Sequence, residues 1–406
     1  MIKYITMALA SVATATATSA TAPSRNINNN NNNNINNNNN NNNNPNRKWI
    51  LKRRPSGVFN PKLDAELVEI EATIVAEDGA KSSELSIEDH QIVVEPQLLS
   101  VDAFLRTMMD EGAYHGSLPI GAPLPALGYG KVVGAGPKSG HSVGTTVAGM
   151  LTASNRSIVD GTNVMRSFKF PFLERSASLG LLGLTTGLTA YTGVFYVPTR
   201  PPRAGETVVV TGAAGAVGSI AVQLCKSTGA RVVGIAGGTK KGEYLAETLR
   251  CDGVIDYKNV STKSLADQIA ETCPNGIDFV YDNVGGETLD ALLDKINPGA
   301  RIVICGAISQ YSGNLNGRDK AKKVQGPSNY LKLAERGAEM KGFNVMQHIT
   351  KLPRMLCGMF YLWARGKVAM KEHVEDGLER FPYALQKLFT GETIGKTLVR
   401  IRSDDP

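Results

Sequence analysis

Val208-Val209-Val210-Thr211-Gly212-Ala213-Ala214-Gly215-Ala216-Val217-Gly218 is the stretch that decides the fold. Three β-branched residues in a row read as a strand covered on both faces, and the glycine-rich segment after them as a tight turn. Residues 219–227 follow with helical periodicity. Read as A-x-G-x-x-G, the turn puts Ala213 where the first glycine of a dinucleotide fingerprint usually stands. Gly215 lets the backbone approach a pyrophosphate, and Gly218 lets the helix pack closely on the strand. The N–H groups at the start of that helix then face the phosphates.

The same alternation continues outward. Residues 231–235, 254–256, 278–281 and 301–304 are short, β-branched and mostly apolar, and 241–249, 265–272 and 288–295 carry helical periodicity. Strand alternating with helix predicts a doubly wound parallel sheet of the Rossmann type, an α/β fold. Upstream, β-rich stretches at 67–75, 91–94, 130–133 and 145–148 are punctuated by Gly and Pro, which predicts a compact, mostly β domain. Beyond Gly342, helices over 352–364 and 378–388 and a strand over 397–401 are expected to return to that first domain. The expected organisation is therefore a β-rich substrate domain over 46–165, a dinucleotide-binding domain over 166–345 and a return segment over 346–406.

Residues 1–45 stand apart from this plan. Residues 1–25 combine Lys3, a short apolar run and an Ala/Thr/Ser stretch ending in Arg25, a pattern shared by secretory signals and organellar transit peptides. The compartment stays open between the cytoplasm and these destinations. The segment is too short and polar for a membrane span. Residues 28–44 are asparagine throughout except Ile35 and have no apolar face to bury, so a disordered linker is expected. Residues 1–60 also hold seven basic residues and no acid, which accounts for the entire net charge of +7. The rest of the chain is balanced and gives no support for nucleic-acid binding.

The five cysteines, Cys225, Cys251, Cys273, Cys305 and Cys357, are scattered singly, with neither a disulfide framework nor the spacing of a zinc site. No metal is expected. About 20 residues beyond the glycine turn, NAD-specific proteins place an acid on the adenosine ribose. This chain has Ala236-Gly237-Gly238-Thr239-Lys240-Lys241 there. Without the acid nothing repels a 2′-phosphate, and the lysines supply the opposite charge, so NADPH is favoured over NADH. The competing reading is a solvated helix start.

The chain resembles the prostaglandin reductase, alkenal double-bond reductase and curcumin reductase group of the zinc-independent medium-chain dehydrogenase/reductase family. The likeness runs from Asn46 to Ile401. It is carried by Asn46-Arg47-Lys48-Trp49, Ser100-Val101-Asp102-Ala103-Phe104-Leu105-Arg106, Gly187-Leu188-Thr189-Ala190-Tyr191, the glycine turn, Asp282-Asn283-Val284-Gly285-Gly286, Cys305-Gly306-Ala307-Ile308-Ser309-Gln310-Tyr311, Gly326-Pro327, Gly342-Phe343 and Gly391-Glu392-Thr393-Ile394-Gly395-Lys396. The resemblance implies a GroES-like β domain before the Rossmann domain, a homodimer, and NADPH-dependent reduction of the double bond of α,β-unsaturated aldehydes and ketones.

It also implies roles for residues. Ala214, Gly215, Ala216, Val217 and Gly218 cradle the pyrophosphate, Lys241 and Tyr257 bind the 2′-phosphate, and Asn283 lies beside the cofactor. Cys305, Gly306, Ala307, Ile308, Ser309 and Tyr311 run along the nicotinamide half, where Phe343, Asn344 and Val345 line the same end. Thr393 stands where the family usually has an asparagine near the cofactor.

Phe104 replaces a phenol common in the family, and the 183–187 segment lacks the familiar Met-Pro. Zinc dehydrogenases of this fold carry a Cys and a Gly-His where this chain has Ser100 and Gly128-Tyr129-Gly130. Conjugate reduction manages without that metal, because hydride added to the β-carbon places charge on the carbonyl oxygen, which then needs a positioned donor. Tyr311 is the candidate donor; packing on the cofactor is its alternative role. A quinone reductase and a non-catalytic NADPH-binding protein are the competing functions.

Overall fold

In the computed structural model, residues 45–70, 74–75, 81–82, 87–113, 115–167, 172–259, 263–312, 324 and 326–402 are described. The targeting-like segment and asparagine tract expected over residues 1–45 lie outside the described residues, apart from Pro45.

The first domain opens with β1 (Asn46–Leu51), antiparallel to β2 (Ala65–Ile70) and joined to it through the short α1 (Pro61–Asp64). A small hairpin of β3 (Ile74–Val75) and β4 (Lys81–Ser82) follows. The main sheet is built from β5 (Gln91–Ser100), β6 (Pro125–Ala135), β7 (Thr146–Thr152), β8 (Ser157–Asp160) and β9 (Val164–Arg166), with α2 (Phe104–Met108) after β5. β5 and β6 run well past the segments that alternation predicts. Gly128 and Gly130 read as breakers, yet they sit inside β6 because the strands cross too closely for a side chain: a Cβ at Gly130 would collide with the Glu95 carbonyl. A register shift between Pro96 and Leu98 accommodates the proline.

The second domain is a six-stranded sheet of β10 (Thr207–Thr211), β11 (Arg231–Ala236), β12 (Gly253–Asp256), β13 (Ile277–Asp282), β14 (Ile296–Ile304) and β15 (Glu339–Gly342), in the order 12-11-10-13-14-15. Every neighbouring pair is parallel. The valine run explains its double cover. Val208 and Val210 join one core cluster while Val209 joins another, so successive residues of β10 bury themselves against helices on opposite faces. Those helices include α3 (Gly187–Phe195), α4 (Ala216–Ser227), α5 (Thr239–Glu243), α6 (Leu265–Thr272) and α7 (Gly286–Leu293); α8 (Leu331–Arg336) precedes β15.

The return segment divides. Helix α9 (Leu352–Ala364) keeps to the second domain, with Met355 and Met359 fully buried in the cluster that holds Val208 and Val210. Only then does the chain rejoin the first sheet, where β16 (Glu372–Asp376) pairs parallel with β17 (Lys396–Arg400) and β17 pairs antiparallel with β5. Between them α10 (Phe381–Thr390) buries Phe381, Ala384 and Leu385 in the first domain's core. Among the described residues no helix is long and apolar enough to cross a membrane.

One ion pair ties this return to the cleft between the domains. Lys396 Nζ lies 2.6 Å from Asp102 Oδ1, with side-chain exposures of 1% and 8%. Breaking a buried pair strands a charge, so Lys396→Met is expected to cost about 3–5 kcal/mol in denaturant unfolding. Adding Asp102→Asn removes the stranded charge and should recover much of that loss. An unchanged loss in the double variant would assign the cost to packing instead.

Candidate active-site cleft

The carboxyl ends of the parallel strands open onto one cleft of about 1530 Å³, walled opposite by the region of α2, by the 183–187 segment and by β17. A crevice of this kind lies where the strand order reverses, here between β10 and β13. Of the residues given cofactor or donor roles from sequence, all but Ala307 line it.

At the centre is the glycine turn. Gly212 takes φ +58, the left-handed conformation that suits glycine, and Gly215 begins α4. A Cβ at Gly218 would collide with the Gly212 carbonyl, so only glycine lets α4 lie this close to the turn. No side chain caps α4, which leaves its first-turn N–H groups available to an anion. Thr211 and Asp282 hold the turn to β13: the Thr211 hydroxyl donates to Asp282 Oδ1 at 2.6 Å. Asn283 is fixed beside it, its Nδ2 donating to the Thr211 carbonyl at 2.7 Å.

One end of the cleft is cationic. Lys240 is exposed, as a solvated helix start would be, whereas Lys241 faces the cleft. Burial holds the Lys241 ammonium below the usual lysine range, and the neighbouring Lys258 pushes it the same way. The two Nζ atoms lie 3.6 and 4.0 Å from where a Cβ on Gly391 would stand, so they converge on one spot. The Tyr257 ring closes over Gly237, 2.8 Å from its Cβ position. Lys258 was not apparent from the sequence, where it looks like an ordinary loop lysine; its place directly after Tyr257 and the end of β12 was the available signal.

The other end is formed by the loop after β14. Its backbone is laced to the loop after β13: the Ile308 N–H donates to the Asn283 carbonyl at 3.1 Å and the Ser309 hydroxyl to the Val284 carbonyl at 2.6 Å. The Tyr311 phenol folds back over Gly306, where a Cβ would stand 2.8 Å from the hydroxyl oxygen, and accepts the Ala307 N–H at 3.2 Å. Ala307 thus supports the phenol from behind rather than facing the cleft. Burial raises the Tyr311 phenol above its ordinary range and pushes the Cys305 thiol up to about 12, so both keep their protons at neutral pH. Phe343, Asn344 and Val345 line the cleft after β15, with the Asn344 side chain accepting the Met346 N–H at 2.9 Å. Thr393 is buried on the facing tail, and two residues on, the Gly395 N–H donates to the Ala214 carbonyl at 2.8 Å.

The first-domain wall holds Val101, Phe104, Thr107 and His115, with Leu388 and Phe389 from α10. At its base, the Ser100 hydroxyl donates to Asp102 Oδ2, and the Thr185 hydroxyl donates to Asp102 Oδ1 at 3.2 Å. The departure at 183–187 therefore contributes a hydroxyl to the ion-pair cluster. Among the described residues no three His, Cys, Asp or Glu side chains gather where they could hold a metal ion.

Residues 47–167 match the family described as the N-terminal domain of oxidoreductase, and residues 216–346 the family described as zinc-binding dehydrogenase. The chain is 33% identical to the 2-alkenal reductase (NADP(+)-dependent) of Nicotiana tabacum, over 88% of this chain and 97% of that protein. It is 31% identical to the NADPH-dependent curcumin reductase of Escherichia coli, over 89% of this chain and 98% of that protein. The crystal structure of CurA in complex with NADPH from Vibrio vulnificus superposes with a TM-score of 0.74 at 29% identity, covering 89% of this chain and 100% of that one. Strand order, cleft and relatives agree: this chain is an oxidoreductase of the medium-chain dehydrogenase/reductase family, in the group that contains the prostaglandin, 2-alkenal and curcumin reductases.

Proposed function

We propose that this protein reduces the carbon-carbon double bond of small α,β-unsaturated aldehydes and ketones with NADPH, without a metal. The observation that carries the reading is one continuous cleft with the half-buried Lys241 ammonium, beside Lys258, at one end and a protonated phenol at the other. NADPH is the cofactor, and the residues present fit it: α4 offers uncapped N–H groups, Gly218 leaves room beside the turn, and Lys241 and Lys258 form a cationic spot with no acid after β11. When bound, it supplies the hydride that adds to the β-carbon.

The protein's own groups do the rest. The glycine turn holds the diphosphate, the lysine pair with Tyr257 holds the 2′-phosphate, and the 305–311 loop with residues 343–345 sets the position of the reacting ring. Tyr311 donates its hydroxyl to the carbonyl oxygen as charge develops there. Its oxygen accepts the Ala307 N–H, which leaves its proton for the substrate. A zinc ion does not suit the first-domain wall, because the Ser100 hydroxyl is engaged with Asp102 and Asp102 with Lys396. Family likeness also supports a homodimer, which sedimentation of the purified protein tests.

The purified protein is expected to oxidise NADPH with enals and cyclic enones and to yield the saturated carbonyl compound. Reduction at the carbonyl with enones untouched would overturn the proposal, and turnover of quinones alone would replace it with a quinone reductase.

Lys241→Ala is expected to weaken NADPH binding by about 1–3 kcal/mol, the range for a charge-assisted hydrogen bond, and to leave NADH nearly unchanged. Lys258→Ala should act in the same direction. Equal losses for the two cofactors in titration would place these lysines away from the phosphate.

Tyr311→Phe keeps the ring and removes only the hydroxyl. NADPH affinity should hold while turnover of an enone falls by about 10- to 100-fold, at or below the low end for loss of one oxyanion donor. Unchanged turnover would leave Tyr311 as a packing residue.

A further inference from the structure

We propose that Asp282 is a positioning residue: it sets the loops at the nicotinamide end of the cleft against the glycine turn, and so governs hydride transfer rather than cofactor affinity. The inference rests on the reading that residues 305–311 line the reacting end of a bound NADPH, and it names the residue that holds them there.

Asp282 ends β13 beside β10, where the strand order reverses, and it is fully buried. Burial disfavours its charge, and the hydroxyl and N–H groups that donate to it act against that effect. The Thr211 hydroxyl donates to Oδ1 at 2.6 Å, the Val284 N–H to Oδ1 at 3.1 Å and the Gly285 N–H to Oδ2 at 3.0 Å. The Asp282 main-chain carbonyl accepts the Cys305 N–H at 2.8 Å and the Gly306 N–H at 3.2 Å. One residue thus ties together the strand end that leads into the glycine turn, the 283–286 loop and the start of the 305–311 loop.

The arrangement specifies a carboxylate. The Thr211 hydroxyl accepts the Asn283 N–H at 2.8 Å, which leaves its own proton for Asp282. Both Asp282 oxygens therefore act as acceptors. An asparagine can keep its amide oxygen at the Oδ1 position, but its NH₂ then stands at the Oδ2 position against the Gly285 N–H, donor facing donor. Gly285 lies close against the next loop: it takes φ +70, and a Cβ on it would stand 3.0 Å from Ala307 Cβ. A shift there passes to the loop that carries Tyr311, through the Ile308 N–H on the Asn283 carbonyl and the Ser309 hydroxyl on the Val284 carbonyl. The cationic end is held by other bonds. The Ala213 N–H donates to the Ile235 carbonyl at 3.0 Å and the Gly238 N–H to Asp256 Oδ1 at 2.9 Å, and neither involves Asp282.

The test measures single-turnover reduction of one cyclic enone by stopped flow, and NADPH affinity by titration. NADPH deuterated at the transferred position identifies the hydride step by its isotope effect. Asp282→Asn should slow that step by about 10- to 100-fold with NADPH affinity nearly unchanged, since displacing reacting groups by about 1 Å costs up to about 10²-fold. Thr211→Val removes the hydroxyl and should slow the step in the same direction, whereas Thr211→Ser should recover much of the rate. Thr211→Val added to Asp282→Asn should cost little more, because both act through one bond. An unchanged hydride rate in Asp282→Asn, a parallel loss of affinity and rate, or additive losses in the double variant overturns the positioning role. Should Asp282→Asn not fold, the Thr211 variants decide: equal hydride rates in Thr211→Val and Thr211→Ser overturn the proposal. Absence of wild-type turnover with the enone removes the enone reading and this inference with it, whereas an active wild type confines any failure to Asp282.

Discussion

The cleft depends on one buried ion pair between residues 294 positions apart, Asp102 and Lys396. Taking both charges out of water is costly, and their attraction offsets that cost only when further hydrogen bonds complete the site. Ser100 and Thr185 supply these to the carboxylate. The pair therefore joins four segments: the end of β5, the start of the first-domain wall, the 183–187 segment and β17. Gly395, next to Lys396, bonds to Ala214 in the glycine turn and cannot carry a side chain, because a Cβ would collide with the Lys371 carbonyl. First-domain wall, glycine turn and C-terminal tail are in this way held together by a single pair and its immediate neighbours.

What could be read from the sequence follows from how local the cause is. Strands β10 to β14 were legible because a parallel strand covered on both faces must be apolar and β-branched, as 208–210 and 301–304 are. Strand β16, Glu372-His373-Val374-Glu375-Asp376, was not, since it is mostly charged and becomes a strand only by lying beside β17. That the glycine turn, Lys241, Tyr257 and the 305–311 loop line the cleft was legible because each lies within a few residues of a strand end, where the fold places ligands. His115 and Lys396 were not given roles, because what brings each to the cleft is a contact or a packing that local spacing does not encode, whereas Lys258 was passed over although it follows closely on the end of β12.

The two ends of the cleft solve opposite electrostatic problems. Lys258 pushes against the half-buried Lys241 ammonium, so an anion bound beside them relieves a cost already present in the protein. The other end suppresses charge. Burial keeps the Tyr311 phenol and the Cys305 thiol protonated and holds the His115 imidazole below the usual histidine range, and Asp102 is matched by Lys396. In the proposed reaction, neutral donors meet the charge that develops on the substrate oxygen with fixed dipoles and need no reorganisation. Such donors are weaker than a metal ion, but the conjugated acceptor proposed here needs less: its own π system carries the electrons to oxygen, and the protein has only to receive them there. In the proposed reaction the same neutrality serves the last step, because an enolate held by the Tyr311 O–H dipole rather than by a full positive charge remains basic enough at carbon to take its proton from water.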